Sequence, residues 1–313
     1  MYPRLSDIFR DLFGFTLPFP IYSFGAMVAV GVLTAMWLTR RELDRMYAAG
    51  RIGGVRMKVE DGKGKPRTRE ESPSAILGTV TVMAVLLGIA GSKLFHILEN
   101  LDDFAHDPFG MIFSTGGLSF YGGLIVAGVS IALYLRKKSV AKWAFADAIA
   151  PGLMLAYGIG RIGCHLAGDG DWGIVADMSA RPSWVPNWLW AETYPNNILG
   201  IDLPDPGVYP TSIYEFVFAA FLFGVLWVYR KHPYRNGWLF SFYLVLNGVE
   251  RFMIEQIRVN NLFEFAGITF TQAEFIAVLM VVGGFIGLAF TWRAREDFRT
   301  TQPPPERTVP TAA

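Results

Sequence analysis

Seven apolar stretches, each long enough to cross a lipid bilayer, constrain the fold of this chain more than any other feature. They fall at about 21–39, 74–98, 118–135, 143–162, 211–229, 237–257 and 268–292. A helix of about 20 apolar residues spans the hydrocarbon core, and inside lipid only helices or closed barrels satisfy every backbone hydrogen bond. The sequence therefore predicts an all-α polytopic integral membrane protein with about seven transmembrane helices.

Composition excludes an ordinary soluble enzyme. Of the 313 residues, 52% are hydrophobic and only 18% are charged. The single cysteine, Cys164, excludes an intrachain disulfide, and the four scattered histidines show no zinc spacing. We therefore predict no metal site and no cofactor. Topology and anionic lipids account for the basic loops, so we expect no nucleic-acid partner.

The distribution of basic residues predicts the orientation in the membrane. The segments 40–73, 136–142, 230–236 and 293–313 hold 10, 4, 3 and 4 Lys and Arg residues, which is 21 of the 28 in the chain. Loops rich in Lys and Arg stay in the cytoplasm. The N-terminus is therefore predicted outside and the C-terminus in the cytoplasm.

The remaining segments complete a single membrane-embedded domain over residues 1–292. Residues 5–16 have the pattern of an amphipathic helix on the membrane surface. The cytoplasmic loop 40–73 contains a possible hairpin around Asp61-Gly62-Lys63-Gly64, and residues 163–210 predict a small extracytoplasmic head. The proline-rich tail, 293–313, is predicted to be disordered.

The fourth apolar stretch ends in a segment with unusual chemistry. Residues 157–173 read YGIGRIGCHLAGDGDWG, and Arg161 lies where lipid should meet water. An obligate cation is costly at that depth unless it has an anion to bind. We predict that this anion is a phospholipid headgroup.

A second polar constellation lies in the sixth stretch, where Glu250 accompanies a polar helix face. That face is formed by residues at spacings of four, four and three, namely Asn247, Arg251, Glu255 and Arg258. Such a stripe belongs in the bundle interior or a wet cavity. It indicates either an internal ion pair, Arg251 or Arg258 with Glu255, or an anion site. With Arg161 at the same depth and few carboxylates, we predict an excess of positive charge that binds phosphate.

Taken in chain order, these motifs resemble those of bacterial prolipoprotein diacylglyceryl transferases over roughly residues 20–292. The matching segments are Ser119-Phe120-Tyr121-Gly122-Gly123-Leu124, Asp147-Ala148-Ile149-Ala150-Pro151, Gly160-Arg161-Ile162-Gly163 with its Trp-Gly ending, Tyr209-Pro210-Thr211-Ser212-Ile213-Tyr214-Glu215, Arg251-Phe252-Met253-Ile254-Glu255-Gln256-Ile257-Arg258 and Thr271-Gln272.

The resemblance implies an activity and a location. The enzyme would transfer the diacylglyceryl group of phosphatidylglycerol to the lipobox cysteine thiol in the signal peptide of a prolipoprotein, releasing glycerol phosphate. It would be a multi-pass protein of the bacterial plasma (inner) membrane, with its active site near the outer leaflet. Its partners would be this lipid, the prolipoprotein and the bilayer.

The resemblance also assigns roles to residues. Arg161 and Arg251 match the family's essential arginines and are predicted to be catalytic and to hold the phosphate. Arg258, expected closer to water, is a further candidate. The other predicted substrate-binding residues are Glu255, Asn247, Gly122, Gly123 and Asp169. For the two glycines, close helix packing is the alternative role.

Four departures from the family pattern surround the predicted site. Tyr121 replaces a histidine, Phe24 a tyrosine, Cys164 an asparagine and Asn247 a tyrosine. We predict that His165, four residues after Arg161, is the general base and that Tyr121 orients a phosphate or glycerol oxygen. The alternative for His165 is a histidine at headgroup level, bonded to backbone. Cys164 is predicted to be a small packed residue.

Two other functions stay open at this point. One is a catalytically silent phospholipid-binding relative that keeps the arginines and has lost its base. The other is a transporter of an anionic solute, for which a substrate site at the bilayer midplane and an internal repeat would be expected. The sequence has neither feature.

Overall fold

A computed structural model describes residues 1–15, 21–60, 66–114, 119–260, 262–265 and 267–293. Within these residues the helices are α1 (Leu5–Phe13), α2 (Ser23–Ala48), α3 (Leu77–Glu99), α4 (Leu101–His106), α5 (Pro108–Phe113), α6 (Phe120–Lys137), α7 (Lys142–Ala167), α8 (Asn187–Trp190), α9 (Thr211–Tyr229), α10 (Trp238–Glu255) and α11 (Gln272–Thr291). Two antiparallel strand pairs join β1 (Val55–Glu60) to β2 (Pro66–Glu71) and β3 (Leu262–Phe265) to β4 (Ile268–Thr271). The predicted tail from residue 294 onward lies outside the described residues.

Five helical segments are long and apolar enough to cross a membrane. They are Ser23–Ala48, Pro73–Glu99, Lys142–Ala167, Thr211–Tyr229 and Gln272–Thr291. The other two predicted spans are also helical, as α6 and α10, but α10 carries three charged side chains. The mostly helical, polytopic membrane class is therefore confirmed, whereas the count of seven and the orientation stay predictions.

The structure corrects three predicted boundaries. The loop after the first span was expected to begin at residue 40, but α2 continues to Ala48. The head was expected to begin at residue 163, but α7 continues to Ala167, where Gly168 takes a left-handed conformation (φ 61°) and ends the helix. The seventh span was expected to begin at residue 268, but residues 268–271 pair with β3. Alternating β-branched and aromatic residues favour strands there, and Thr271 then caps α11 by a capping box with Glu274.

The chain forms two compact units. The first comprises Met1–Thr39 and Ala146–Arg295, and the second is built on Arg40–Phe145. In the first unit, α10 packs against α9 and α11. Asp147 of α7 anchors α10 by accepting backbone hydrogen bonds from Gly237 (2.7 Å) and Phe240 (2.8 Å) at the start of that helix. An anion at a helix N-terminus satisfies unpaired N–H groups and the helix dipole.

The predicted head has a small core of its own. Trp172, Tyr194 and Val208 are buried together, and the backbone of Val208 pairs with both Val175 and Glu192. This core fixes the loop that follows α7 against the segment that leads into α9. At the N-terminus, α1 has no buried residues, as expected for the predicted surface helix.

The second unit contains the predicted hairpin. Strands β1 and β2 pair in register from Val55 with Glu71 to Glu60 with Pro66. The predicted turn, residues 61–64, lies outside the described residues. Helices α3 and α6 pack closely in the same unit.

Candidate functional site

The first unit gathers three arginines and three carboxylates from four segments. Arg161 comes from the end of α7, Asp171 from the loop after it, Glu215 from α9, and Arg251 and Glu255 from α10, with Arg258 just beyond. We call these six residues the arginine–carboxylate cluster. The cluster lies near the ends of apolar helices, where a charge without a partner is costly. Each of its six charges therefore needs a partner of opposite sign.

Glu215 is the centre of the cluster. Its side chain is wholly buried (0% exposed). Its carboxylate lies 2.8 Å from Arg161 Nε, 3.0 Å from Arg251 Nη1 and 3.5 Å from Arg258 Nη1. One buried charge therefore orients three guanidinium groups, which are planar and have fixed donor directions.

Asp171 forms the second junction. One of its oxygens pairs with Arg161 and the other with Arg258. The loop is held in place because the Asp171 carbonyl accepts hydrogen bonds from Thr211 Oγ1 (3.0 Å) and Ser212 Oγ (2.7 Å) at the start of α9. Burial alone would raise the pKa of the Asp171 carboxyl, but the two guanidinium groups outweigh it and hold that pKa below its ordinary value.

The polar stripe of α10 forms in part as expected. Arg251 pairs with Glu255 at 3.3 Å, one helical turn away, which is one of the two predicted internal ion pairs. Arg258 pairs with Asp171 and Glu215 and not with Glu255.

Two expectations about the arginines are wrong. Arg258 was expected closer to water, but its side chain is only 7% exposed, against 16% for Arg161 and 23% for Arg251. After α10 the backbone pairs with the loop that follows α7, where Gly173 pairs with Arg258 and Ile174 N–H donates to Ile257 C=O at 2.8 Å. The predicted excess of positive charge is also wrong, because three carboxylates balance the three arginines.

His165 lies on α7 but contacts the head. The helix extends far enough for His165 to follow Arg161 by four residues, as the base hypothesis requires. Its Nδ1 lies 3.2 Å from the Tyr194 hydroxyl, and the two rings meet edge to face. Among the described residues no hydrogen bond or ion pair joins His165 to Arg161. Its role as a base stays a prediction.

The loop that contains Asp169 also brings Cys164 near the cluster. The Asp169 carboxylate accepts a hydrogen bond from the Asp171 backbone N–H at 3.3 Å, and burial and the nearby Asp171 carboxylate raise the pKa of Asp169. Cys164 is buried, as predicted, with its sulfur 3.9 Å from Arg161 Nη1. One potential ligand atom from each of Cys164, Asp169 and Asp171 lies within 4.8 Å of the others. Because Asp171 already pairs with two guanidinium groups, this set is poorly suited to a cation.

The other predicted substrate-binding residues have packing contacts. The Asn247 amide nitrogen lies 3.9 Å from the Met154 sulfur, a weak interaction. In the second unit, a Cβ on Gly122 would lie 2.5 Å from Gly91 C=O, and one on Gly123 would lie 2.8 Å from Gly88 C=O. Close helix packing therefore requires both glycines. Tyr121 lies in the first turn of the same helix, α6. The roles of Tyr121 and the two glycines in substrate binding stay predictions.

Glu215 and Asp171 were not predicted as site residues from the sequence. Glu215 appeared there only within a motif, although it is the single acid of the apolar helix α9. Like Arg161, it is a charge in an apolar span and needs a partner. Asp171 gave a weaker signal, because acids are common in polar loops.

Comparison with known proteins identifies the family of this chain. The family model described as prolipoprotein diacylglyceryl transferase matches residues 11–290. A relative from Corynebacterium glutamicum, named phosphatidylglycerol--prolipoprotein diacylglyceryl transferase, is 26% identical over 310 residues, which cover 95% of this chain and 85% of the relative. Relatives of the same name from Enterococcus faecalis (27% identical, 90% and 91% covered) and Clostridium tetani (29%, 81% and 86%) also match.

The fold and the cluster together define a polytopic membrane protein with a buried, charge-balanced polar site at the ends of its apolar helices. The family match covers nearly the whole of this architecture. The chain belongs to the prolipoprotein diacylglyceryl transferase family, of which its moderate identity to the relatives makes it a divergent member.

Proposed function

We propose that this chain transfers the diacylglyceryl group of phosphatidylglycerol to the lipobox cysteine thiol of a prolipoprotein. In this reaction a C–S bond forms at the terminal glyceryl carbon, the C–O bond to phosphate breaks, and glycerol phosphate leaves. The thiol proton goes to a base. The proposal rests on family membership and on the activity that the relatives' names describe.

One observation supports the phosphate-binding part of this proposal. The carboxylates of Glu215 and Glu255 are wholly buried (0% exposed), whereas the guanidinium groups of Arg161 and Arg251 are 16% and 23% exposed. Each guanidinium has five N–H donors, and within the described part of the chain each of these two arginines makes two ion pairs. The remaining donors are available to a phosphodiester on the exposed side.

A charge-balanced cluster suits this role better than the excess of positive charge that the sequence predicted. The buried carboxylates fix the planes of the guanidinium groups before substrate arrives, so little reorganisation is needed when negative charge develops on the leaving phosphate. Arg161 and Arg251 are proposed to hold that phosphate. Arg258 instead holds the Asp171 loop in place.

The thiol must lose its proton to become nucleophilic. A free cysteine has a pKa of about 8.5, so only a small fraction is thiolate at neutral pH. His165 is our proposed base, and Tyr121 is proposed to orient a phosphate or glycerol oxygen. A hydrogen bond to Tyr194 fixes one ring nitrogen of His165, which leaves the other for proton transfer.

The site is proposed to face the outer leaflet of the bacterial plasma membrane. The charge asymmetry of the loops supports seven crossings with the N-terminus outside. The loop 168–210 would then meet secreted prolipoproteins, and the donor lipid would enter laterally from the bilayer.

Complementation tests the proposal in cells. A bacterium depleted of its own transferase should regain growth on expressing this chain, and a reporter lipoprotein should gain the mass of one diacylglyceryl group. Normal expression and insertion without any mass gain would refute the transfer reaction. It would favour a silent lipid-binding relative if the purified protein still bound phosphatidylglycerol.

A further inference from the structure

Glu250 is a buried carboxylate that the proposed reaction does not yet use. It lies on α10 next to Arg251, and only 4% of its surface is exposed. Among the described residues, neither of its carboxyl oxygens completes a hydrogen bond, and no ion pair involves it. A buried carboxylate with no partner is costly, so this position calls for an explanation.

The surroundings of Glu250 link it to the cluster. Glu215, Arg251 and Arg161 lie close enough to interact with its charge, and the Tyr157 hydroxyl lies within reach of its carboxyl group. Arg251 and Arg161 are already paired with other carboxylates. The Tyr157 hydroxyl is also buried and completes no hydrogen bond within the described part of the chain. Two buried polar groups therefore lie together, beside the guanidinium groups proposed to bind phosphate, with hydrogen-bonding capacity to spare.

The geometry of the displacement decides what these two groups can contact. The thiolate must attack the glyceryl carbon from the side opposite the leaving oxygen. On α7, Tyr157 precedes Arg161 by four residues and His165, the proposed base, follows it by four, so Tyr157 and the neighbouring Glu250 belong to the side of the phosphate away from the thiol. On that side, the next part of the donor lipid beyond the phosphate is its headgroup glycerol, which carries two neighbouring hydroxyls.

We infer that Glu250 and Tyr157 bind the headgroup glycerol of the donor lipid through its hydroxyls. Carboxylate oxygens of Glu250 accept hydrogen bonds from the hydroxyls, and the Tyr157 hydroxyl donates to or accepts from one of them. The pair would select a polyhydroxylated headgroup, since a donor without hydroxyls leaves two buried polar groups unsatisfied. This inference rests on the proposed function and deepens it by assigning the headgroup selectivity.

Two donor lipids of equal charge test the inference. Phosphatidylethanol keeps the phosphodiester and its charge but lacks both headgroup hydroxyls and one headgroup carbon. Phosphatidylethanolamine is less suitable, because it adds an ammonium group that a carboxylate also attracts. Transfer to a lipobox peptide is measured in detergent with each donor. We expect the unmodified protein to prefer phosphatidylglycerol by about 100-fold or more, because an analogue that lacks hydroxyls leaves the site's polar groups unpaired.

The variants distinguish headgroup selection from a structural role. Glu250→Gln should reduce this preference by about tenfold or more, by weakening transfer from phosphatidylglycerol and sparing transfer from phosphatidylethanol. Tyr157→Phe should also reduce this preference. The double variant, Glu250→Gln with Tyr157→Phe, should lose less of the preference than the product of the two single losses. Ser241→Ala removes a buried hydroxyl from the same helix, bonded to Gly237 C=O, and should leave the preference unchanged.

Each outcome has a distinct meaning. Equal losses with both donors in Glu250→Gln would make Glu250 structural and overturn the inference, while the proposed transfer would stand. An unchanged preference in that variant would also overturn it. Absence of transfer from either donor by the unmodified protein would instead overturn the proposed function.

Discussion

Glu215→Gln is the most informative perturbation of the cluster. The substitution keeps the size of the side chain but removes the one charge that three arginines share, at 2.8, 3.0 and 3.5 Å. Breaking a buried ion pair by neutralising one partner costs about 3–5 kcal/mol. Arg161 keeps Asp171 and Arg251 keeps Glu255, so we expect a loss of about 3 kcal/mol in the free energy of unfolding, at the lower end of that range.

The substitution should also slow transfer, by an amount comparable in free energy to the loss of stability. Arg161 and Arg251 lose the buried charge that fixes their planes, and misplaced phosphate donors reduce the rate by about 10²–10³. Purified variants would be compared in detergent by thermal unfolding and by transfer from phosphatidylglycerol to a lipobox peptide. Glu264→Gln removes an exposed carboxylate on β3 and serves as the control, with an expected change within about 0.5 kcal/mol. Transfer and stability at the level of the unmodified protein in Glu215→Gln would refute the role of Glu215.

Three further predictions concern the arginines, the base and the topology. Arg161→Lys and Arg251→Lys keep the charge but lose the planar guanidinium group, so correctly inserted protein should transfer about 10²–10³ times more slowly. Unchanged rates would exclude Arg161 and Arg251 as the phosphate-binding residues. His165→Ala should reduce transfer by about 10²–10⁴, with a residual rate that rises with pH as the thiol ionises on its own; full activity would exclude His165 as the base. Single cysteines introduced at 175–205, in a chain without the native cysteine, should react with an impermeant reagent outside the cell, and those at 51–70 should not. Reaction at 51–70 in intact spheroplasts would reverse the orientation.

Hydropathy predicted the helices well where an apolar run has sharp ends. The fifth span was predicted at 211–229, and α9 is Thr211–Tyr229. The two agree because Pro210 directly precedes the apolar run and Arg230 directly follows it. The start of the seventh span was missed because β4 is also apolar. A short apolar run has no periodicity that separates a strand from a helix turn.

The site was predicted in part, for a related reason. Arginines in apolar segments are visible in the sequence, so Arg161 and Arg251 were found. Their partners depend on how helices distant in sequence pack. Glu215 lies 54 residues after Arg161 and 36 before Arg251, and no local pattern links them. The charge balance of the cluster therefore became evident only in three dimensions.

Transfer by the purified protein tests the central claim most directly. The full chain in detergent would be incubated with phosphatidylglycerol and a synthetic lipobox peptide, and the peptide mass and the released glycerol phosphate would both be measured. We predict that the peptide gains one diacylglyceryl group on its cysteine and that one glycerol phosphate is released for each peptide modified. Folded protein that binds the lipid but yields neither product would contradict the account.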